Sequence, residues 1–247
     1  MNRAAFIKSS LALISGGVFW QSCSQTIYNK LTIAENANIA FFGDSITFQG
    51  GYIKLLQEHF SKSLTLSNVT LNNYGKNSET VSGLSEAIHD PSRPVLFDRL
   101  ENTWSNNSYD LAFFCYGIND GIYHPFSMNR FKAFQDGVTR FIHFAEEKKT
   151  SVVILTPPPM RPLSRSDESE RSQEYSWKNP YWNYGPEVMD RYRTYIMKIE
   201  HPIVRTKIDI YTPLSNKISA SYDKDPIHPN AQGHRIIANT IIAQFNT

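Results

Sequence analysis

Asn38-Ile39-Ala40-Phe41-Phe42 is an almost wholly apolar run that stops at Gly43 and is followed at once by Asp44-Ser45-Ile46-Thr47. A short apolar run without alternation, bounded by glycine, fits a strand buried on both faces of a parallel sheet. The pattern recurs downstream. Residues 111–116 form a second such run, ending at Gly117, and 151–155 a third, stopped by Pro157-Pro158-Pro159. A further strand is expected over 66–71, ending near Asn73-Tyr74-Gly75, and a short last one over 206–210. Between the strands the apolar spacing is helical. Tyr52, Ile53, Leu55, Leu56 and Phe60 share a face in 50–62, and Phe131, Phe134, Val138, Phe141, Ile142 and Ala145 share one in 127–149. Residues 187–200 and 231–245 complete the helices, with Ser127 and Asn230 as N-caps. Residues 80–100 read as helical fragments broken at Pro91 and Pro94. Strands alternating with helices predict a parallel sheet covered on both faces, and right-handed crossovers make it a three-layer α/β/α sandwich.

Composition narrows the class. The 247 residues suffice for one such domain and leave little for a second. Hydrophobic residues at 40% and charged residues at 19% fit a globular chain and neither a disordered one nor a membrane bundle. A net charge of +2, without a Lys/Arg run, gives no footprint for nucleic acid. Of the two cysteines, Cys115 lies inside an apolar run and reads as a buried hydrophobe. No disulfide framework or paired-cysteine metal site is expected. Arg3 and Lys8, then an uncharged apolar run from Leu11 to Trp20, then Ser22-Cys23, fit an export signal over 1–23. Cys23 stands where a bacterial lipoprotein would carry its lipid, so the chain is expected to be exported, as a periplasmic protein, a cell-surface lipoprotein or a secreted one. A polar tether follows over 24–36, and the domain runs over 37–247.

Ligands of open α/β sheets bind beyond the carboxyl ends of the strands, so the residues that follow each strand carry the chemistry. They are Ser45 after the first, Asn73-Tyr74-Gly75-Lys76-Asn77-Ser78-Glu79-Thr80 after the second, and Gly117-Ile118-Asn119-Asp120 after the third, with Asp225-Pro226-Ile227-His228 ahead of the last helix. A serine hydroxyl needs a base to become a nucleophile, and His228 can supply it. Asp225, three residues earlier, can hold the imidazole in the right tautomer, and Pro226 and Pro229 stiffen the loop. The Ser45 N–H, the Gly75 N–H and the Asn119 side-chain amide are candidate donors to an oxyanion, Gly75 because it has no side chain to obstruct backbone approach.

These four segments, in this order, resemble the SGNH/GDSL hydrolase family. Gly43-Asp44-Ser45 resembles its nucleophile block, Asn73, Gly75 and Thr80 its glycine-donor block, Gly117, Asn119 and Asp120 its asparagine block, and Asp225 with His228 its closing pair. The resemblance spans about residues 37–245 and implies a flavodoxin-like sandwich with a shallow, open site that hydrolyses small esters or O-acyl sugars without a cofactor. Ser78 departs from it, standing where the second block often has another glycine, and Ile46 stands where the name motif has leucine. Thr47 in place of a second glycine removes the G-x-S-x-G elbow of an α/β-hydrolase.

Asp44 and Asp120 fit hydrogen bonding to loop backbone. No histidine spacing supports a metal beside them. His59, His89, His143 and His201 read as surface or packing residues and His234 as structural. The long segment 157–185 leaves the fourth strand on the Ser45 edge and carries Tyr175, Trp177, Tyr181, Trp182 and Tyr184. Aromatic side chains with polar tips can cover a sugar face or line an acyl pocket, or simply pin the loop. Candidate substrate contacts are therefore Asp44, His124, Trp177 and Trp182. The expected activity is a serine esterase for short acyl groups on carbohydrates. Acyl transfer to a sugar hydroxyl by the same acyl-enzyme, and glycan binding without turnover, are the alternatives.

Overall fold

In strand β1 (Asn38–Gly43), Phe41 and Phe42 point to opposite sides because successive side chains alternate. The computed structural model, which describes residues 30–63, 66–105, 107–163 and 174–245, shows what each side meets. The expected export segment, Cys23 and residues 164–173 of the long loop lie outside the described residues. The other strands are β2 (Thr70–Gly75), β3 (Leu111–Cys115), β4 (Ser151–Leu155) and β5 (Val204–Ile208). They form one sheet in the order β2-β1-β3-β4-β5, every neighbouring pair parallel. The helices are α1 (Ser45–Gln49), α2 (Gly51–Phe60), α3 (Leu100–Trp104), α4 (Met128–Glu147), α5 (Asp190–Lys198), α6 (Tyr211–Ser215), α7 (Ile218–Ser221) and α8 (Ala231–Ile242).

On one face Phe41 stacks on Phe113 of β3 at 4.6 Å and meets Tyr52 of α2 edge-on, and Tyr52 stacks on His234 of α8. On the other, Phe42 stacks on Trp104 of α3 at 4.9 Å and packs against Phe141 of α4. Such aromatic pairs add about 0.5–1.5 kcal/mol each beyond the area they bury. Two helical layers thus close over a sheet whose central strands are buried on both faces, which is the three-layer α/β/α sandwich.

The edges depart from expectation. The strand expected over 66–71 begins at Thr70; Leu66 and Val69 instead bury their side chains in the turn that precedes it. β2 lies at the sheet's edge, where polar side chains are tolerated, so Asn72 and Asn73 sit inside it and an apolar run is the wrong signal. β5 starts and ends two residues earlier than expected. A π-helical turn (Tyr184–Met189) leads into α5, and α6 and α7 are too short to show a period. Asn230 caps α8 by accepting from the Gln232 and Gly233 N–H groups, whereas Ser127, at the N-cap of α4, makes no side-chain cap bond. Packing also begins earlier than Ala37: the Leu31 N–H donates to the Gln244 carbonyl at 2.7 Å and the Leu31 side chain is buried.

The chain leaves β1 for β2 on one side and returns past β1 to β3 on the other. This reversal opens a crevice at the carboxyl ends of β1 and β3, where Gly43 lies beside Cys115.

Candidate active site

Strand β1 must turn sharply into α1 to present a hydroxyl at the crevice. A Cβ on Gly43 would stand 2.0 Å from Thr47 Oγ1 and 2.9 Å from the Cys115 carbonyl, so only glycine permits the turn. Asp44 then caps α1, its Oδ1 accepting from the Ile46 N–H at 2.9 Å, and Ser45 becomes the helix's first residue. Across the crevice, Asp225 Oδ1 accepts from the N–H groups of Ile227 (2.8 Å) and His228 (3.3 Å), folding the loop back on itself. Arg161 pins this loop from outside: its backbone N–H donates to the Pro226 carbonyl and its guanidinium to the Asp223 carbonyl.

The Ser45 hydroxyl donates to His228 Nε2 at 2.8 Å, and His228 Nδ1 donates to Asp225 Oδ2 at 2.6 Å. Partial burial pushes the Asp225 carboxyl up, but the Ile227 N–H and the His228 ring outweigh it and hold the group below the ordinary carboxylate range. Asp225 is therefore ionised wherever His228 needs an anionic partner. A hydroxyl, an imidazole and a carboxylate in this order can move one proton off the serine and back.

The donors differ from expectation at one position. The Gly75 N–H is occupied by Asn73 Oδ1 at 2.9 Å, and Gly75 does not line the crevice pocket. Its lack of a side chain serves packing, since a Cβ there would lie 2.1 Å from the Phe48 backbone nitrogen of α1. Three residues on, Ser78 does line the pocket, with φ of 62°, and among the described residues its N–H and that of Ser45 have no acceptor. Asn119 lines the pocket as expected. Its Nδ2 donates to the Glu79 carbonyl at 3.1 Å and its Oδ1 accepts from the Tyr123 hydroxyl at 2.8 Å, leaving one amide hydrogen uncommitted. The N–H groups left uncommitted at the pocket are thus those of the Ser45 and Ser78 backbone and one on Asn119 Nδ2. The glycine-to-serine departure at residue 78 was the available signal for this, since a residue in a glycine's place needs a reason for its backbone.

Over residues 41–236 the sequence matches the GDSL-like lipase/acylhydrolase family. The chain belongs to this family. It is an ester-hydrolysing serine hydrolase. Among solved structures, the acetylxylan esterase Axe2 from Geobacillus stearothermophilus is 17% identical, with a TM-score of 0.64 over 88% of this chain and 97% of its own. The α/β hydrolase LAE5 from the metagenome of Lake Arreo, Spain, is 20% identical, with a TM-score of 0.58 over 87% of this chain and 99% of its own. At these identities the likeness is one of fold. Catalytic mutants of Axe2 replace a serine, an aspartate, and a histidine three positions after that aspartate, by alanine. No curated protein matches the chain in sequence.

The pocket of this acylhydrolase has a volume of about 280 Å³. Beyond Ser45, His228, Asn119 and Ser78 it is lined by Gln49, Asn77, His89, Arg93, Tyr123, Trp177 and Ile227. Of the candidate substrate contacts, Trp177 lines the pocket and is 44% exposed. Asp44 is buried under the nucleophile at 1% exposure and cannot reach a substrate. Neither His124 nor Trp182 lines the pocket; His124 packs edge-on against Tyr175, and Trp182 against Tyr181. His89, read as a surface or packing residue, is on the wall, its Nδ1 donating to the Pro91 carbonyl at 2.7 Å.

Behind the donors lies a buried ionic layer that sequence reading missed. Glu79 binds Arg99 and accepts from the Tyr116 hydroxyl at 2.6 Å; Glu86 binds Arg93. Asp120 Oδ1 accepts from the N–H groups of Val81 and Ser82, as its loop-bonding role required. Burial pushes Asp44 up to about 7 and Asp120 up to about 6. Among the described residues no group of three or more His, Cys, Asp or Glu is placed to hold a metal ion.

Proposed function

We propose that this acylhydrolase removes short acyl groups, acetyl above all, from carbohydrates through an acyl-enzyme on Ser45. The observation that carries the proposal is the unbroken Ser45–His228–Asp225 chain, at 2.8 and 2.6 Å, opening into a small pocket lined mostly by residues with polar side chains. Ser45 Oγ attacks the ester carbonyl as its proton passes to His228 Nε2. The negative charge on the carbonyl oxygen meets the Ser45 and Ser78 N–H groups and the Asn119 amide. His228 returns the proton to the departing sugar oxygen, leaving an acyl group on Ser45. Water, deprotonated by His228, then attacks that acyl group and frees the serine.

The carbohydrate half rests on the pocket wall. The exposed Trp177 ring offers a face to a sugar ring, and Gln49, Asn77 and His89 offer hydrogen bonds to hydroxyls. A cavity of this size with one aliphatic lining residue, Ile227, suits acetyl better than a long chain. The acetylxylan esterase activity named for Axe2 lends support. The export signal expected over residues 1–23 supports a substrate outside the cytoplasm, and a mass spectrum of the mature N-terminus tests it, lipidation of Cys23 included.

The activity test compares acetate release from acetylated xylo-oligosaccharides with turnover of p-nitrophenyl acetate, butyrate and octanoate. Parent kcat/KM should fall from acetate to octanoate, and Ser45→Ala should lower kcat by about 10³-fold or more. No release from acetylated glycans, with rates rising toward octanoate, removes the carbohydrate half. Equal rates in parent and Ser45→Ala remove the nucleophile.

A further inference from the structure

We infer that the buried Arg93–Glu86 pair is a positioning unit for the oxyanion site, holding Ser78 on one side and Asn119 on the other and tying both to the Trp177 wall. The inference rests on the esterase reading above. Each side chain of the pair is 1% exposed. The contact is a two-pronged fork, with Arg93 Nε donating to Glu86 Oε2 and Nη2 to Oε1. Arg93 has reach beyond its partner. Its Nη1 donates to the Ser78 carbonyl at 3.1 Å, and its guanidinium lies 5.4 Å from the centre of the Tyr123 ring. Tyr123 is the residue whose hydroxyl orients the Asn119 amide. Glu86 Oε1 also accepts the backbone N–H of Trp177 at 3.3 Å.

Backbone strain shows what the pair works against. Among the described residues, four non-glycine residues have positive φ: Ser78 (62°), Ile122 (47°), Tyr123 (59°) and Lys149 (57°). The first three sit in the two loops that present the donors. A β-branched or aromatic residue in the left-handed region relaxes unless its surroundings prevent it. Ser78 and Glu79 are held from three directions: by Arg93 on the Ser78 carbonyl, by Asn119 on the Glu79 carbonyl, and by Arg99 and Tyr116 on the Glu79 carboxylate. A buried ion pair adds little stability over an apolar pair of equal volume. What Arg93 and Glu86 supply is direction, since a donor displaced by about 1 Å from a forming oxyanion can cost about 10²-fold in rate.

The test uses Arg93→Lys, Glu86→Gln, and the paired apolar replacement Arg93→Met with Glu86→Leu. The paired variant removes both charges together, so that neither is stranded in the interior as it is by a single change. Thermal unfolding reports folding, p-nitrophenyl acetate gives kcat and KM, and phenylboronic acid, whose tetrahedral serine adduct mimics the intermediate, gives Ki. The variants that fold should keep KM within about 3-fold while kcat falls about 10–100-fold, and the boronate Ki should rise by a similar factor. A merely structural pair would change the unfolding temperature without this split. Parent-like kcat in the folded paired variant overturns the inference, as does a rise in KM at unchanged kcat, which would make Arg93 a substrate-binding residue. Failure of the esterase reading looks different, because the parent itself would then show no turnover that Ser45→Ala abolishes.

Discussion

Asn119 commits two of its hydrogen-bonding capacities to its own surroundings. Its oxygen takes the Tyr123 hydroxyl and one amide hydrogen goes to the Glu79 carbonyl, so the second amide hydrogen is fixed in direction before any substrate arrives. Preorganised donors of this kind need no reorientation as charge develops. Asn119→Ala should therefore lower kcat for p-nitrophenyl acetate by about 10²–10³-fold. It should also destabilise the fold by roughly 1–3 kcal/mol, because a buried carbonyl and a buried hydroxyl lose their partner. Steady-state kinetics and urea unfolding on one sample check both, and kcat within about 3-fold of the parent would exclude Asn119 as a donor. The residues to which the proposed chemistry is assigned were the legible ones in the sequence. Ser45, Asn119, Asp225 and His228 are polar groups placed where apolar runs end, and that contrast survives without any structure. Arg93, Glu86 and His89 were not legible. They lie in a segment without periodicity, and what Arg93 and Glu86 hold, namely Ser78, Tyr123 and Trp177, lies in other loops.

Gly75 shows how an element can impose a residue that looks functional. The backbone of α1 passes so close to the end of β2 that a Cβ at residue 75 would fall 2.1 Å from Phe48 N and 2.6 Å from both Phe48 Cα and the Thr47 carbonyl carbon. Backbone cannot swing aside as a side chain can, so Gly75→Ala must displace α1, and α1 carries Ser45. The variant should lose at least about 1–3 kcal/mol, the usual cost of overpacking. Its kcat should also fall, although the residue 75 N–H is retained. Urea midpoints with p-nitrophenyl acetate kinetics measure this, and a Gly75→Ala protein with parent stability and parent kcat would show that the close approach is not needed. The same distinction explains which elements could be read ahead of the structure. β1, β3 and β4 are buried on both faces and announce themselves as apolar runs. The edge strand β2 is polar, and the apolar residues Leu66 and Val69 just before it belong to a turn, so the expected strand was displaced toward them. The short helices α6 and α7 span barely a turn each, too little for any period to accumulate.

At the scale of the whole molecule, the acidic groups with shifted protonation pull stability in opposite directions with pH. Asp225, Glu86 and Asp209 are held below their ordinary range: burial alone would raise each, and the partners that outweigh it are the Ile227 N–H and His228, Arg93, and Arg193 with Thr212, respectively. The stabilisation from these three is present above the ordinary carboxylate range and is lost as pH falls through their lowered values. Asp44 and Asp120 behave oppositely. Burial, reinforced at Asp44 by Asp120 and Glu79, raises Asp44 from 3.8 to about 7, and burial raises Asp120 from 3.8 to about 6. For these two the folded state holds protons that the unfolded chain has already released, so stability declines as pH rises from about 4 to about 7 and then levels off. The sum is a dome, with the unfolding midpoint highest near the ordinary carboxylate range of about 4 and falling on both sides. Asp44→Asn separates the contributions. Asparagine can still accept the Ile46 N–H and cap α1, since the two residues are nearly equivalent N-caps, but it never ionises. The variant should keep the acid limb of the dome and lose much of the decline between pH 5 and 7, becoming more stable than the parent at pH 8. Urea unfolding at unit steps from about pH 2 to pH 8, parent and variant together, decides the matter: parallel curves on the alkaline side would mean that Asp44 is already ionised at pH 5 in the folded protein, with a counter-charge that its surroundings of Asp120, Glu79 and Arg93 do not supply.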